Sequence, residues 1–326
     1  MKKPTRRTIS IAAFAMAALS AFPAFAQSSP IQPVKIVVPL APGGITDNLA
    51  RILARGISQA TGQPVIVENR AGAGGNVGSA FVAKSAADGH TLLFSAPGNF
   101  AINQFLYPNM PYSPEKDLRM ITVVGQVPMV LVVNSKQPFT SLAQLLDYAK
   151  GNPGKLSASS GGNGSTSHLS LELFKSLTNV DILHVPYKGA APALSDLLGG
   201  QVQMSINDLG TFLPSIKGGK LRALATGGAN RSPLLPGVPS LNESGFKDYT
   251  STGWYALAAP AGTPQAVIDA ISRASLKALA SPDTKRAIET LGAEIVGGTP
   301  EETARFVAAE SAKWKHVVEV SGAKVD

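Results

Sequence analysis

The sequence predicts an α/β protein whose two lobes are joined by two hinge strands. Three observations carry that reading. Short apolar runs alternate with segments of helical period, the pattern of repeated strand–loop–helix units. Glycine-rich loops stand where several of those runs hand over to a helix. Two long β-like crossings, near 121–132 and 252–259, bracket the second half of the pattern, as connections between two lobes would. One large sheet would accommodate the same pattern, and the sequence leaves that alternative open.

The first 26 residues stand outside it. Lys2, Lys3, Arg6 and Arg7 make a basic start, 9–22 is an apolar run interrupted only by Ser10 and Ser20, and Ala24-Phe25-Ala26 puts small residues where a signal peptidase reads. A membrane-spanning helix needs about 20 apolar residues, so this segment reads as an export signal cleaved after Ala26, not as an anchor. Its removal takes four basic residues and halves the net charge of +8. No basic run of the kind that grips nucleic acid remains. The absence of cysteine excludes thiol nucleophiles, Cys-ligated zinc, iron–sulfur clusters and disulfides, and also a lipid anchor on an N-terminal cysteine.

In the exported part, VKIVVP over 34–39 reads as a buried strand. The helix after it, over 47–60, carries Leu49, Ile52, Leu53 and Ile57 at helical spacing and stops at Gly62. Strands are expected at 65–67 and 91–95, with a helix starting near Asn76 between them. Repetition of this unit implies a parallel sheet with right-handed crossovers. A long β-like stretch follows over 119–133, interrupted by Gly125 and Pro128. The second series places helices at 142–150, 168–177 and 192–198, and strands at 156–160, 182–185, 202–206 and 221–226. Pro233, Pro236 and Pro239 make 230–240 a loop. A strand at 254–259 precedes a mostly helical remainder, in which Thr299-Pro300-Glu301-Glu302 is a capping box opening a helix to about residue 320. The lobes are then 27–126 with 253–326, and 127–252.

Two strand–loop–helix turns, one in each lobe, are the strongest chemical feature. They are PLAPGGITD over 39–47 and SSGGNGSTSH over 159–168. Each sets consecutive backbone N–H groups at a helix N-terminus, where orphan donors and the helix dipole attract an anion. Neither loop holds Lys or Arg, so a carboxylate would be held by amides, hydroxyls and water. Either loop alone is an ordinary βα turn needing glycine; facing each other across a cleft they make a ligand site. AGAGGNVG over 71–78 has GxGxxxG rather than GxGxxG spacing, which removes the dinucleotide reading. It fits better as a third wall, with Asn76 offering an amide. No phosphate-binding GxxxxGK[ST] and no nucleophile elbow occur. No cofactor is expected.

Other constellations are weaker. His168 and Glu172 stand one helical turn apart with His184 beyond the next loop, a conceivable zinc set; His168 at a helix start and His184 beside Pro186 also serve as ordinary polar residues. Ser160 or Ser165 with His168 would be the pair of an exported hydrolase. Asp47 stands where a first-turn or N-cap acid belongs, and capping is its ordinary work. Asp208 follows a strand and could reach the cleft or close an Asx-turn. With two Trp in the chain, a sugar-stacking site is disfavoured.

The chain resembles the Bug family of periplasmic solute-binding proteins, the TctC-like receptors of tripartite tricarboxylate transport systems. The resemblance runs through VIVENRAGAGGNVG (65–78), ADGHTLLFS (87–95), HVPYKGAAPALSDLLGGQV (184–202), GKLRALAT (219–226), SPLLPGVPSLNESG (232–245) and PAGTPQAVIDAI (260–271), as well as both glycine loops. It implies a type II periplasmic-binding-protein-like fold whose paired loops grip a carboxylate, often with bridging water. By position it implies ligand contacts from Gly43, Gly44, Thr46 and Asp47, and from Ser160, Asn163, Gly164, Ser165 and His168. Asn76 and Asp208 match positions that line the cleft. Leu40, Ile45 and His90 depart from the family pattern, the first two making the first loop more apolar. The implied protein is a monomeric, non-enzymatic periplasmic receptor that hands a small carboxylate to an integral membrane permease, or presents it to a signalling membrane protein.

Overall fold

The apolar run after the leader forms β1 (Val34–Val38), with Ile36, Val37 and Val38 fully buried, in a computed structural model that describes residues 32–321 apart from 248, together with 323 and 325. The signal peptide expected over 1–26 lies outside the described residues. The remaining elements, in chain order, are α1 (Ile45–Thr61), β2 (Val65–Asn69), α2 (Asn76–Ala83), β3 (Thr91–Ser95), a π turn (Gly98–Ile102) running into α3 (Asn103–Leu106), α4 (Pro114–Asp117) and β4 (Leu118–Asn134). Then come α5 (Leu142–Gly151), β5 (Leu156–Ser160), α6 (Thr166–Thr178), β6 (Ile182–Pro186), α7 (Ala190–Gly199), β7 (Met204–Asp208), α8 (Leu209–Lys217) and β8 (Leu221–Thr226). The chain ends with β9 (Thr252–Pro260), α9 (Gln265–Leu279), α10 (Pro282–Thr290), β10 (Glu294–Gly297) and α11 (Pro300–Ser321).

The strands form one hydrogen-bonded path, β2-β1-β3-β9-β4-β7-β5-β6, with β8 and β10 also paired to β4. β4 organises it. Its first half pairs antiparallel with β9 and β10, and its second half, from Met129, with β7 and β8. Pro128, which has no N–H to donate, falls where the partners change. Gly125 sits at a register shift and passes so close to β10 that a Cβ there would lie 2.9 Å from the Glu294 carbonyl. The two interruptions in the sequence are therefore features of one continuous strand. The parallel pairing implied by the repeated units is found between β1 and its neighbours β2 and β3, and again between β5 and its neighbours β6 and β7, whereas every pairing of β4 and β9 is antiparallel. The chain reverses direction at the long central strand, which repeated strand–loop–helix units cannot foresee.

Three buried clusters hold the layers. Leu49 and Leu53 of α1 pack with Ile268 of α9 and Ile288 of α10 beneath β1 and β4. Leu145 of α5 and Phe174 of α6 pack on the other half of β4 at Leu131 and Val133. Trp314 of α11 returns to Val37, Leu93 and Trp254, and both indole N–H groups donate to the Glu310 carboxylate at 2.8 and 3.1 Å. The capping box forms as its spacing requires: Thr299 N–H donates to Glu302 and Glu302 N–H donates back to the Thr299 hydroxyl. In the second half of the chain two elements escape the periodicity. α8 contains Pro214, and β10 has four residues in a stretch read as helical. β7 also starts two residues later than expected, which places Asp208 at the strand's end and at the N-cap of α8.

Candidate functional site

The first loop is held by an acid in the first turn of α1. Gly43 N–H donates to Asp47 Oδ2 at 3.0 Å, and Asn69 Nδ2 bridges the Leu40 carbonyl at 3.1 Å and Asp47 Oδ1 at 3.0 Å. Arg51 closes the other side of the carboxylate at 3.0 Å. Burial works to raise the Asp47 carboxyl, but Arg51, the Gly43 N–H and Asn69 outweigh it and hold the group below its ordinary range. Asp47 therefore shapes the loop and spends the Gly43 N–H in doing so. Gly44 is the N-cap and has no side chain to satisfy the helix end, so the N–H groups of Gly44, Ile45 and Thr46 have no partner among the described residues.

The second loop is pinned from within. Ser165 caps α6, accepting from His168 N–H at 3.2 Å and donating to the Gly162 carbonyl at 2.6 Å. Ser167 takes the Gly161 N–H, Ser160 takes the Gly162 N–H, and His168 Nδ1 takes the Gly164 N–H. What remains open at the helix end are the N–H groups of Thr166 and Ser167. Beneath the loop the His168 and His184 rings stack at 4.2 Å, and His184 Nε2 meets Ser160 Oγ at 2.6 Å. Replacing Ser165 by Ala removes both the cap and the hydroxyl's bond to the Gly162 carbonyl, leaving the main-chain bond from Ser165 N–H to that carbonyl. It is expected to cost about 1 kcal/mol and lower the melting temperature by about 2–4 °C, read by calorimetry.

The residues with unpaired amides face one another across a cavity of about 100 Å³. Gly44, Ile45 and Thr46 line one side, and Asn163, Gly164, Ser165, Thr166 and Ser167 the other. Asn99, Asn207, Asp208 and Tyr255 also reach its wall, with the Tyr255 hydroxyl donating to Asp208 Oδ1 at 2.5 Å. The cavity adjoins a groove of about 470 Å³, and exposed Lys188 borders both. Where the two sides meet, only glycine fits: a Cβ at Gly164 would lie 2.3 Å from Asn103 Oδ1, and one at Gly98 would lie 3.0 Å from the Gly164 carbonyl.

Among the residues expected to contact ligand, Gly44, Thr46, Asn163, Gly164, Ser165 and Asp208 lie on this wall, while Gly43, Asp47, Asn76, Ser160 and His168 do not. Gly43, Asp47, Ser160 and His168 stand directly behind it and fix the loops. Asn76 is buried and its Oδ1 accepts from Asn103 Nδ2 at 2.7 Å. Asn99 and Gly74 reach the wall from that side instead. Sequence reasoning missed Asn207 and Tyr255, which nothing but the sheet brings to the cavity, and Lys188, which stands in the Tyr187-Lys188-Gly189 turn after β6.

Among the described residues, the side chains of the alternative chemistries are bonded elsewhere or buried. Ser165 and His168 meet through the His168 main-chain N–H, while the ring Nδ1 faces Gly164, so no base stands behind the hydroxyl. Ser160, bonded to His184, is fully buried. Glu172 pairs with Lys175 at 3.0 Å, and no cluster of three His, Cys, Asp or Glu side chains able to hold a metal occurs among the described residues.

The sequence profile described as the tripartite tricarboxylate transporter family receptor matches residues 49–323. Protein BugT of Bordetella pertussis (strain Tohama I / ATCC BAA-589 / NCTC 13251) is 41% identical over 322 residues, spanning 98% of this chain and 99% of that protein. The solved structure of R. palustris Rpa4515 with adipate superposes with a TM-score of 0.87 at 38% identity, covering 91% of this chain and 99% of that one. The periplasmic binding protein BugD gives 0.85 at 35% identity, with 91% and 99% covered. The α/β architecture is thus that of periplasmic binding proteins.

Proposed function

From the premise that this chain belongs to the tripartite tricarboxylate transporter receptor family, we propose that it is a non-enzymatic periplasmic receptor that captures a small carboxylate between two lobes and delivers it to a membrane permease. One observation carries the reading: two helix N-termini with unpaired N–H groups converge on one cavity from opposite sides. Such a pair binds an anion through dipoles and orphan donors. Adipate bound to a protein of the same fold supports the choice of a carboxylate.

The lobes in this proposal are residues 27–126 with 253–326, and 127–252, and the ligand binds Gly44, Thr46, Asn163, Gly164, Ser165 and Asp208. The change of partners along β4 at Pro128–Met129 supports a hinge there. Binding favours the closed arrangement, which the permease recognises. In this proposal the leader at 1–26 exports the protein to the periplasm, where it acts as a monomer; no helix among the described residues is long and apolar enough to cross a membrane, and the sequence has no cysteine for lipidation.

A thermal-shift panel of mono-, di- and tricarboxylates, amines and sugars tests this. A ligand at about 100 times its dissociation constant adds roughly 2.7 kcal/mol, so at least one carboxylate is expected to raise the midpoint by several degrees. A rise with amines or sugars and with no carboxylate overturns the proposal.

A further inference from the structure

The cavity floor holds two polar side chains whose bonding is unfinished. Asn207 is 2% exposed and lines the cavity. Its Oδ1 accepts the Asp208 N–H at 3.0 Å, which fixes the orientation of the amide and leaves Nδ2 a buried donor with no partner among the described residues. Beside it, the Asp208 carboxyl accepts from Tyr255 and forms no ion pair among the described residues. Gly253 is pressed against it from β9, where a Cβ would lie 2.7 Å from Asp208 Oδ1, and the β4 partner of Asp208 is Met129. The titratable side chains on the cavity wall besides Asp208 are Tyr255 and Lys188.

We propose that this floor takes the second carboxylate of a dicarboxylic acid as a hydrogen-bonded acid pair with Asp208, so that each ligand is captured together with one proton. The proposal rests on the carboxylate reading above, in which the first carboxylate occupies the loop amides. An apolar ligand end would leave Asn207 Nδ2 desolvated and unpaired, a cost of about 1–3 kcal/mol, and would leave the buried Asp208 carboxyl with the Tyr255 hydroxyl as its side-chain partner. A carboxyl group satisfies both, one oxygen accepting from Asn207 and the other sharing a hydrogen with Asp208. Two carboxylates in contact in a buried site do not both remain ionised. The free ligand carries two ionised carboxylates at neutral pH, so the shared proton comes from solvent and no other bond forms or breaks. Burial already pushes the Asp208 carboxyl up to about 6, opposed by the bond from Tyr255, so the proton is accepted near neutrality. Lys188 at the rim adds positive potential toward a doubly charged ligand.

Titration calorimetry with succinate, glutarate and adipate, and with hexanoate as a monocarboxylate, in two buffers of different ionisation enthalpy counts the protons. At pH 7.5 the best-bound diacid is expected to take up close to one proton, and its affinity to fall about tenfold per pH unit between pH 7 and 8, as single-proton linkage requires. Hexanoate is expected to take up none. Asp208→Asn is expected to bind the diacid with no proton uptake and a flat profile over that range, and Asn207→Leu to weaken the diacid more than hexanoate. A diacid bound without proton uptake, or uptake that survives Asp208→Asn, overturns the acid pair and leaves the carboxylate reading standing. Binding of no carboxylate by the wild type overturns both.

Discussion

Gly44→Val is expected to reduce carboxylate affinity at least a hundredfold, about 2.7 kcal/mol, while leaving the melting temperature of the ligand-free protein within about 2 °C. The two effects separate because of where Gly44 stands. Its φ of −79° and ψ of 172° are ordinary extended backbone that valine adopts without strain, and a Cβ there meets nothing within 4 Å. No folded-state contact is lost, and the α1 N-cap keeps its main-chain geometry. The added methyl groups instead stand at the amides of Gly44, Ile45 and Thr46 on the cavity wall, where the proposed carboxylate approaches. Gly164→Val attacks the same site by another route. Gly164 has φ +77° and lies against Asn103 Oδ1, so valine imposes backbone strain and parts the two sides of the cavity. That variant is expected to lose stability as well as affinity. Melting curves and titrations of the two variants together distinguish an anion grip from a pair of structural turns: affinity unchanged in Gly44→Val leaves the first loop only a turn.

The same two glycine loops show how far the sequence could be read. Each announces itself locally, by a β-rich run, glycines and a helical period, so the strand, the turn and the helix N-terminus were legible at 34–61 and at 156–178. Which N–H groups remain free was not legible. That depends on side chains reaching back, as Asp47 does to Gly43 and His168 to Gly164. These residues were expected to touch ligand, and they sit one layer behind the cavity because their polar atoms are already bonded to the loops. Asn76 was displaced for a similar reason: Asn103, brought beside it by the π turn at 98–102, accounts for its carbonyl oxygen. Asn207 carries no local signal, since only the antiparallel pairing of β7 with β4 turns the end of that strand into the cavity. Helix and strand period is a property of a dozen adjacent residues. The chain reversal at β4 and the floor it builds are properties of residues about 80 positions apart.

Acid is expected to destabilise this protein through the histidine pair, with the cavity carboxyl offsetting part of the loss. Burial, then the charge of the other ring and of Lys175, lowers His168 to about 3; burial and Lys175 lower His184 to about 4. In the unfolded chain both titrate near 6.5. The unfolded state therefore binds more protons below that value, and the stability contributed by the neutral pair is complete above pH 6.5. It falls as pH drops toward the folded-state values near 4 and 3. At about 1.4 kcal/mol per unit, each histidine costs roughly 3 kcal/mol by pH 4. Asp208 works in the opposite direction. Its raised value lets the folded state take the proton first, and between pH 6 and 3.8 it returns about 3 kcal/mol, offsetting one histidine. The net expectation is a loss of about 3 kcal/mol between pH 6.5 and 4. His168→Gln has no titrating ring yet offers an oxygen for the Gly164 N–H. It is expected to remove that loss, and an unchanged pH slope of the melting temperature in this variant would falsify the assignment. Protonation also turns Nδ1 of His168 from acceptor to donor, so the second loop loses its pin at Gly164 as the fold weakens. With Asp208 accepting its proton near pH 6 and the histidines resisting theirs until about pH 4, diacid affinity should rise from pH 8 to 6 and collapse below 4.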